Sequence, residues 1–104
     1  NKIDLNLKDH YGRTLLHWAC SVGKVYALEL LIENGVNINQ QDILGRTALH
    51  YASQFNQINC IKMLVKYDVD ALIKDNYEET ALIVAAFCGH KEATSLLHES
   101  SGII

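Results

Sequence analysis

The chain has 104 residues, 49% of them hydrophobic and 20% charged, which fits one globular domain and excludes a disordered segment. A formal net charge of −3, with lysines and arginines scattered along the chain, argues against nucleic acid or an anionic membrane as the main partner. The three cysteines, at positions 20, 60 and 88, form neither a disulfide framework nor a zinc motif, so we expect free buried thiols.

Free thiols indicate a reducing compartment, so the sequence predicts an intracellular protein, in the cytoplasm or, as the alternative, in the nucleus. The longest apolar run covers residues 81–88 and is far too short to cross a bilayer. No secretory signal peptide is visible, and because the chain starts at Asn1 we expect it to be a segment of a longer protein.

An internal repeat organises the sequence, because residues 9–41 recur as residues 42–74 with nine identical positions. A further shift by the same interval brings residues 75–104 into partial register. We therefore predict a single repeat domain that spans residues 1–104. Residues 1–8 are the tail of a preceding unit, residues 9–41 and 42–74 are two complete repeats, and residues 75–104 are a terminal third repeat.

Repeat 1 is predicted to be a turn followed by two short helices. Asp9 and Gly12 indicate the turn, since Asp bonds nearby backbone amides and Gly accepts a positive φ. Thr14 is the expected N-cap of a first helix, whose apolar residues recur at helical spacing until Gly23. A second amphipathic helix is predicted over about residues 25–33, followed by Gly35 in the left-handed conformation.

Repeat 2 follows the same plan except that Asp68 replaces the glycine after the second helix, whereas repeat 3 departs from the plan at three positions. Glu78 replaces the turn glycine, Ile83 replaces a histidine, and Ser101 replaces the glycine after the second helix. The turn at residues 77–79 and the order of residues 100–104 therefore stay open at this point. Helices of eight or nine residues are marginal alone, so stability is expected to come from the stacking of successive helix pairs.

The segments 12–19 and 45–52, Gly-Arg-Thr-Leu-Leu-His-Trp-Ala and Gly-Arg-Thr-Ala-Leu-His-Tyr-Ala, resemble the Gly-x-Thr-Pro-Leu-His-x-Ala signature of ankyrin repeats. The likeness covers essentially the whole chain, although the signature proline is absent. It implies an all-α solenoid of three helix-turn-helix repeats with short β-hairpin connections. It also implies that the first helices line a concave groove.

A second resemblance concerns residues 15–20, 38–42 and 47–53. They are similar to the ankyrin portion of acyl-CoA-binding proteins that carry such repeats after a four-helix lipid-binding domain. This resemblance implies a parent protein that binds a fatty acyl-CoA outside the present segment, with the segment positioning a partner.

The repeated polar motif has a structural interpretation rather than a catalytic one. The two motif histidines are expected to bond the neighbouring threonine region and an adjacent turn, tying repeat to repeat. No nucleophile constellation, phosphate-binding loop or set of metal ligands accompanies them, so we predict no enzyme, no metal and no cofactor. The structural motif residues are Gly12, Thr14, His17, Gly45, Thr47 and His50.

A partner-binding surface is predicted at the hairpin tips and at the ends of the first helices, where packing leaves side chains free. Exposed apolar patches rimmed by charge mark interaction sites, and aromatic and Arg residues dominate binding energy. Val22 and Ile43 have the alternative role of packing on neighbouring tips. The predicted contact residues are Tyr11, Arg13, Val22, Ile43, Leu44, Arg46, Phe55, Tyr77 and Phe87.

The sequence thus predicts a protein–protein interaction module, a scaffold or adaptor that binds a segment of another protein in its groove. The alternatives are the non-catalytic portion of an acyl-CoA-binding protein and a structural spacer in a larger enzyme, although a spacer would have a polar groove. We expect a monomer, with self-association through the uncovered first repeat as the alternative.

Overall fold

Three pairs of antiparallel helices follow one another along the chain in the computed structural model, which describes residues 4–101. The first residues of the pairs are Leu15, Ala48 and Ala81, so successive pairs start at one constant interval, the length of the sequence repeat. Residues 1–3 and 102–104, which carry parts of the predicted preceding tail and of the last turn, lie outside the described residues. The helices are α1 Leu15–Val22, α2 Val25–Glu33, α3 Ala48–Gln54, α4 Ile58–Lys66, α5 Ala81–Phe87 and α6 Lys91–Ser101.

A threonine precedes the first helix of every pair. Thr14, Thr47 and Thr80 all have extended backbone conformations, so each helix begins at the next residue. The hydroxyl oxygen of Thr47 accepts from the amide of the third helical residue at 3.3 Å, and that of Thr80 does the same. Because such a cap satisfies an amide that the helix itself leaves unbonded, it contributes about 1 kcal/mol.

Residues with positive φ lie just after the helices of repeats 1 and 2. Gly23 and Gly35 have φ of 80° and 81°, as expected from the sequence. In repeat 2 the same positions are held by Asn56 and Asp68, with φ of 57° and 60°. Asn and Asp tolerate this conformation better than other residues that carry a Cβ, so the repeat keeps its geometry without glycine.

The core lies between consecutive helix pairs. The inner helices α1, α3 and α5 pack against one another in series, and the outer helices α2, α4 and α6 form a second layer. Ala19, Ala52 and Ala85 are fully buried along the inner row, which lets these helices approach closely. Leu49 and Ile61 are buried in the central repeat, and each contributes about 2 kcal/mol through removal of apolar surface from water.

The tips are tight turns at residues 9–13 (tip 1), 42–46 (tip 2) and 75–79 (tip 3). No strand is found between residues 4 and 101. In tip 1 the amide of Asp9 donates to the carbonyl of Arg13 at 2.9 Å, and the amide of Gly12 donates to the carbonyl of Asp9 at 3.0 Å. The predicted β-hairpin connections are therefore hydrogen-bonded turns whose paired segments are too short to form a ladder.

The cysteines differ in exposure. Cys20 and Cys60 are buried, whereas Cys88 is exposed, so the prediction of a buried thiol was wrong at position 88. Cys88 occupies the same repeat position as Val22 and Phe55, which lie at the ends of α1 and α3 and are also exposed. Packing between helix pairs does not reach this position.

None of the helices described between residues 4 and 101 has the length and apolar character needed to traverse a bilayer.

Candidate protein-binding face

An aspartate organises each tip. One carboxylate oxygen of Asp9 accepts from the amides of Tyr11 and Arg13, both at 2.9 Å. Asp42 makes the equivalent pair of bonds in tip 2 and Asp75 in tip 3. These bonds fix the backbone between the aspartate and the next helix, and they leave the side chains at the middle of each tip outside the core.

Neighbouring tips lie side by side. The amide of Ile43 donates to the carbonyl of Tyr11 at 2.9 Å, and the amide of Asn76 donates to that of Leu44 at the same distance. A Cβ placed on Gly45 would lie only 2.8 Å from the amide nitrogen of Asn76. Glycine is therefore required in tip 2 both for its φ of 77° and for the close approach of tip 3.

The tip row exposes large side chains. Tyr11, Ile43, Leu44 and Tyr77 are all exposed, although each belongs to a backbone fixed by hydrogen bonds. A second row is formed by Val22, Phe55, Phe87 and Cys88 at the carboxyl ends of the inner helices, and all four are exposed. Phe87 is the extreme case, with 89% of its surface accessible.

The two rows meet in the middle of the molecule. Arg46 Nη1 of tip 2 donates to Gln54 Oε1 at the end of α3, at 2.6 Å. A cavity of about 260 Å³ connects tip 2, tip 3 and the ends of α3 and α5. We call the two rows together the tip face. The residues that line the cavity are Arg46, Gln54, Glu79, Val84, Phe87 and Cys88.

Arg13 and Arg46, the two arginines among the predicted contact residues, have different environments. Arg13 is exposed, forms an ion pair with Asp9 at 3.0 Å, and lies 4.8 Å from the ring centre of Tyr11. Backbone hydrogen bonds from Arg13 and Tyr11, together with this ion pair, hold the pKa of Asp9 below its ordinary value despite some desolvation. Arg13 thus remains at the edge of the tip face.

Arg46, which is also among the predicted contact residues, is largely enclosed by its own protein. Its side chain is only 18% exposed, and its guanidinium lies over the ring of Tyr51 at 5.5 Å from the centroid. Nε of Arg46 lies 3.5 Å from the carboxylate of Asp75 in the next tip, and Nη1 bonds Gln54. The ion pair with Asp75 links tip 2 to tip 3, whereas the contacts with Tyr51 and Gln54 lie within repeat 2.

Asp75 is the buried partner in this ion pair. Its Oδ2 atom is buried and has no hydrogen bond, because the distance to Arg46 Nε allows attraction between charges but is too long for a good hydrogen bond. Burial alone would raise the pKa of Asp75, but the amides of Glu79 and Tyr77 and the nearby charge of Arg46 outweigh it and lower the pKa. Asp75 is therefore a carboxylate at neutral pH.

His17 connects repeat 1 to repeat 2. Its Nδ1 accepts from the amide of Thr14 at 3.0 Å, which requires the proton of the neutral ring to be on Nε2. Nε2 lies 3.0 Å from the carbonyl oxygen of Arg46 and donates to it. Burial lowers the pKa of His17 below its ordinary value.

His50 repeats this arrangement one unit later. Its Nδ1 accepts from the amide of Thr47 at 3.1 Å, and Nε2 donates to the carbonyl of Glu79 at 2.8 Å. Burial again lowers the pKa. Tyr51 links α3 to tip 2, because its hydroxyl donates to Asp42. Burial, and to a smaller extent this hydrogen bond, raises the pKa of Tyr51 to about 12.

Two further bonds between repeats were not predicted from the sequence. Gln57 Nε2 donates to the carbonyl of Ser21 at 3.0 Å, and His90 Nε2 lies at the same distance from the carbonyl of Gln54. Both donors start an outer helix and both acceptors lie near the end of the preceding inner helix. The signal was available, since the two donors are one repeat length apart and so are the two acceptors, but the donors differ in residue type.

The repeated helix pairs, the tips joined in series and the tip face define a helical solenoid with a row of exposed apolar side chains. Within that class the chain belongs to the ankyrin-repeat family: a family model described as "Ankyrin repeats (3 copies)" matches residues 1–75 and again residues 40–103. Ankyrin repeats generally mediate protein–protein interaction, and domains built from them are typically non-catalytic. A search of curated proteins found no match to the chain.

Proposed function

We propose that this ankyrin-repeat segment binds a segment of another protein across the tip face. The observation that carries the proposal is the set of large apolar side chains that the stack leaves in water. Tyr11, Leu44 and Tyr77 lie along the tips, and Phe55 and Phe87 lie at the helix ends. Neighbouring exposed apolar groups of this size mark an interaction site, because covering them releases water.

The energetics favour recognition over a spacer role. Fully covering a large apolar side chain such as Phe contributes about 1.5–3 kcal/mol. A few such anchors typically supply most of the binding energy that offsets the entropy of association. A spacer has no use for exposed aromatic residues on a backbone held by hydrogen bonds.

The titratable groups of the site support a non-catalytic role. His17, His50, Tyr51 and Asp75 all have shifted pKa values, yet each is used in a contact between a tip and a helix or between two tips. Among residues 4–101 there is no group of three or more His, Cys, Asp or Glu side chains that could hold a metal ion. We therefore propose binding without a cofactor.

The remaining expectations concern the parent protein. We propose an intracellular location, cytoplasmic or nuclear, on the ground that all three cysteines are free thiols. A parent that binds fatty acyl-CoA stays a prediction about sequence outside this segment. We also propose that the segment is monomeric.

The experiment removes two side chains of the tip face. Peptides selected on the wild-type chain from a random display library are the probe, and the Leu44→Ala/Phe55→Ala variant is expected to bind them at least about tenfold more weakly, which is about 1.4 kcal/mol. The matched control is Tyr26→Ala/Leu72→Ala, which truncates one aromatic and one leucine that are at least as exposed but lie outside the tip face.

Circular dichroism verifies that both variants keep the wild-type fold. Equal loss of binding in the two variants, or unchanged binding in the Leu44→Ala/Phe55→Ala variant, contradicts the proposed site.

A further inference from the structure

We infer that the N-terminal side of the stack is built to accept one more helix pair of the same repeat type, which would join the stack through the tail at residues 4–8. The surface concerned, here called the N-terminal face, is formed by Leu15, Trp18, Ala27, Leu30 and Leu31. Together with Leu5 and Asn34 these residues line a cavity of about 230 Å³.

The burial of equivalent residues shows what this face is suited to. Leu15 and Trp18 are 46% and 50% exposed. One repeat later, Ala48 and Tyr51 hold the same positions and are 0% and 9% exposed, because repeat 1 covers them. The ring of Tyr51 packs edge-on against His17 at 5.8 Å. Trp18 therefore occupies the position of an interface residue that lacks its covering repeat.

The outer helix gives the same result. Leu30 is exposed, whereas the equivalent Met63 packs partly buried against the core. Ala27 is only partly buried, whereas the equivalent Cys60 is buried beneath repeat 1. Both helices of repeat 1 thus leave uncovered the positions that repeat 2 buries against its predecessor.

The tail at residues 4–8 has the structure of the end of a repeat. The amide of Asn6 donates to the Asp4 side chain at 2.9 Å, just as Asn39 donates to Asn37 and Leu72 donates to Asp70, both at 3.0 Å. These turns recur at the interval of the sequence repeat and follow the outer helix in repeats 1 and 2. The chain therefore enters repeat 1 along the path that it takes from one repeat to the next.

The opposite end of the stack has a different character. The outer-helix positions that face the next repeat are Val25 and Leu28 in repeat 1, and they become Lys91 and Thr94 in repeat 3. In tip 3, Glu78 stands where Gly12 and Gly45 allow the next tip to approach. A side chain at that position occupies the space that another tip would need.

This asymmetry favours a helix pair over a second copy of the chain. The N-terminal face is complementary to the aliphatic side of a repeat, such as that formed by Ile58 and Ile61 in repeat 2. In a head-to-tail contact between copies it would instead meet the polar side of α6 at Lys91 and Thr94. The N-terminal face is therefore suited to pack against a repeat that presents an aliphatic side.

The experiment supplies such a repeat and uses Trp18, the single tryptophan of the chain, as the reporter. A copy of residues 42–74 replaces residues 1–8 and is joined to Asp9, which places the copy in the register of a preceding repeat. Covering Trp18 is expected to shift its emission to shorter wavelength and to reduce acrylamide quenching severalfold, towards the accessibility of Tyr51. The urea midpoint of unfolding is expected to rise.

The chain itself provides the control. A second extended protein carries Ile58→Lys, Ile61→Thr and Val65→His in the added copy, the residues that repeat 3 has at these positions. Its Trp18 is expected to remain as accessible to acrylamide as in the unextended chain.

Two results would overturn the inference. One is equal Trp18 accessibility in the unextended chain and in the first extended protein. The other is burial of Trp18 in the unextended chain with rising concentration, accompanied by a dimer in sedimentation, since the occupant would then be a second copy. Neither result affects the proposed binding at the tip face.

Discussion

At the scale of the residue, the buried histidines are the most sensitive points of the structure. A neutral imidazole satisfies both of its nitrogens at each junction, because Nδ1 accepts from a threonine amide and Nε2 donates to a carbonyl of the next tip. A second proton on Nδ1 would face the amide hydrogen of Thr14 or Thr47 and remove the acceptor. Burial and geometry therefore both favour the neutral ring.

The stability of the chain is predicted to fall as the pH drops below about 6.5, the ordinary histidine pKa. The pKa values of His17 and His50 are lowered in the folded chain. Between the unfolded and folded pKa values the unfolded state binds more protons, so the free energy of unfolding decreases with decreasing pH. The measurement is urea unfolding at several pH values between 7.5 and 5.

The single variants His17→Gln and His50→Gln serve as controls, and each should show a shallower dependence on pH in this range. A free energy of unfolding that does not change between pH 7.5 and 5 in the wild type would contradict this view of the histidines. The lowered pKa of Asp75 acts in a separate range, because its contribution is lost only as the pH falls below about 4.

Individual residue roles were predictable where they depend on local sequence. Thr47 precedes α3 and His50 is the third residue of that helix, so their contact follows from the geometry of a helix start. The environment of Arg46 was not predictable, because it depends on Asp75, which belongs to the next repeat, and on Gln54 at the end of α3. A local sequence pattern contains no information about the distances between those side chains.

At the scale of the element, the helix boundaries followed closely from caps and periodicity, whereas tip 3 did not. Glu78 has φ of 64°, a conformation that strongly favours glycine. The tip nevertheless keeps the geometry of the other two, since the amide of Glu78 donates to the carbonyl of Asp75 at 3.0 Å. The carboxylate of Asp75 fixes the turn through the amides of Tyr77 and Glu79.

Glu78→Gly is predicted to stabilise the chain. The substitution relieves a left-handed conformation that costs about 1–2 kcal/mol, and the greater freedom of glycine in the unfolded chain offsets about half of this gain. We expect an increase of about 0.5–1 kcal/mol in the free energy of unfolding, measured by urea titration with circular dichroism.

The contrasting variant is Gly45→Ala, which places a Cβ 2.8 Å from the amide nitrogen of Asn76 in addition to the unfavourable φ. It should lower the free energy of unfolding by about 2 kcal/mol. A destabilising Glu78→Gly substitution would show that the tip depends on the glutamate side chain rather than on backbone geometry.

At the scale of the whole molecule, folding and recognition use different side chains. The inner and outer layers bury small and aliphatic residues between consecutive helix pairs, with Leu16, Leu49 and Ile61 among the most buried. Helices of seven to nine residues, such as α1 to α5, gain stability mainly from these contacts. The tip face carries almost none of this packing, which leaves its side chains available to a partner.

The most direct test of this account is amide hydrogen exchange of the chain with and without a bound peptide selected from the display library. The account predicts added protection at residues 9–13, 42–46 and 75–79 and at the carboxyl ends of α1, α3 and α5, with little change in the outer helices. Protection confined to α2, α4 and α6, with the tips exchanging as in the free chain, would contradict it.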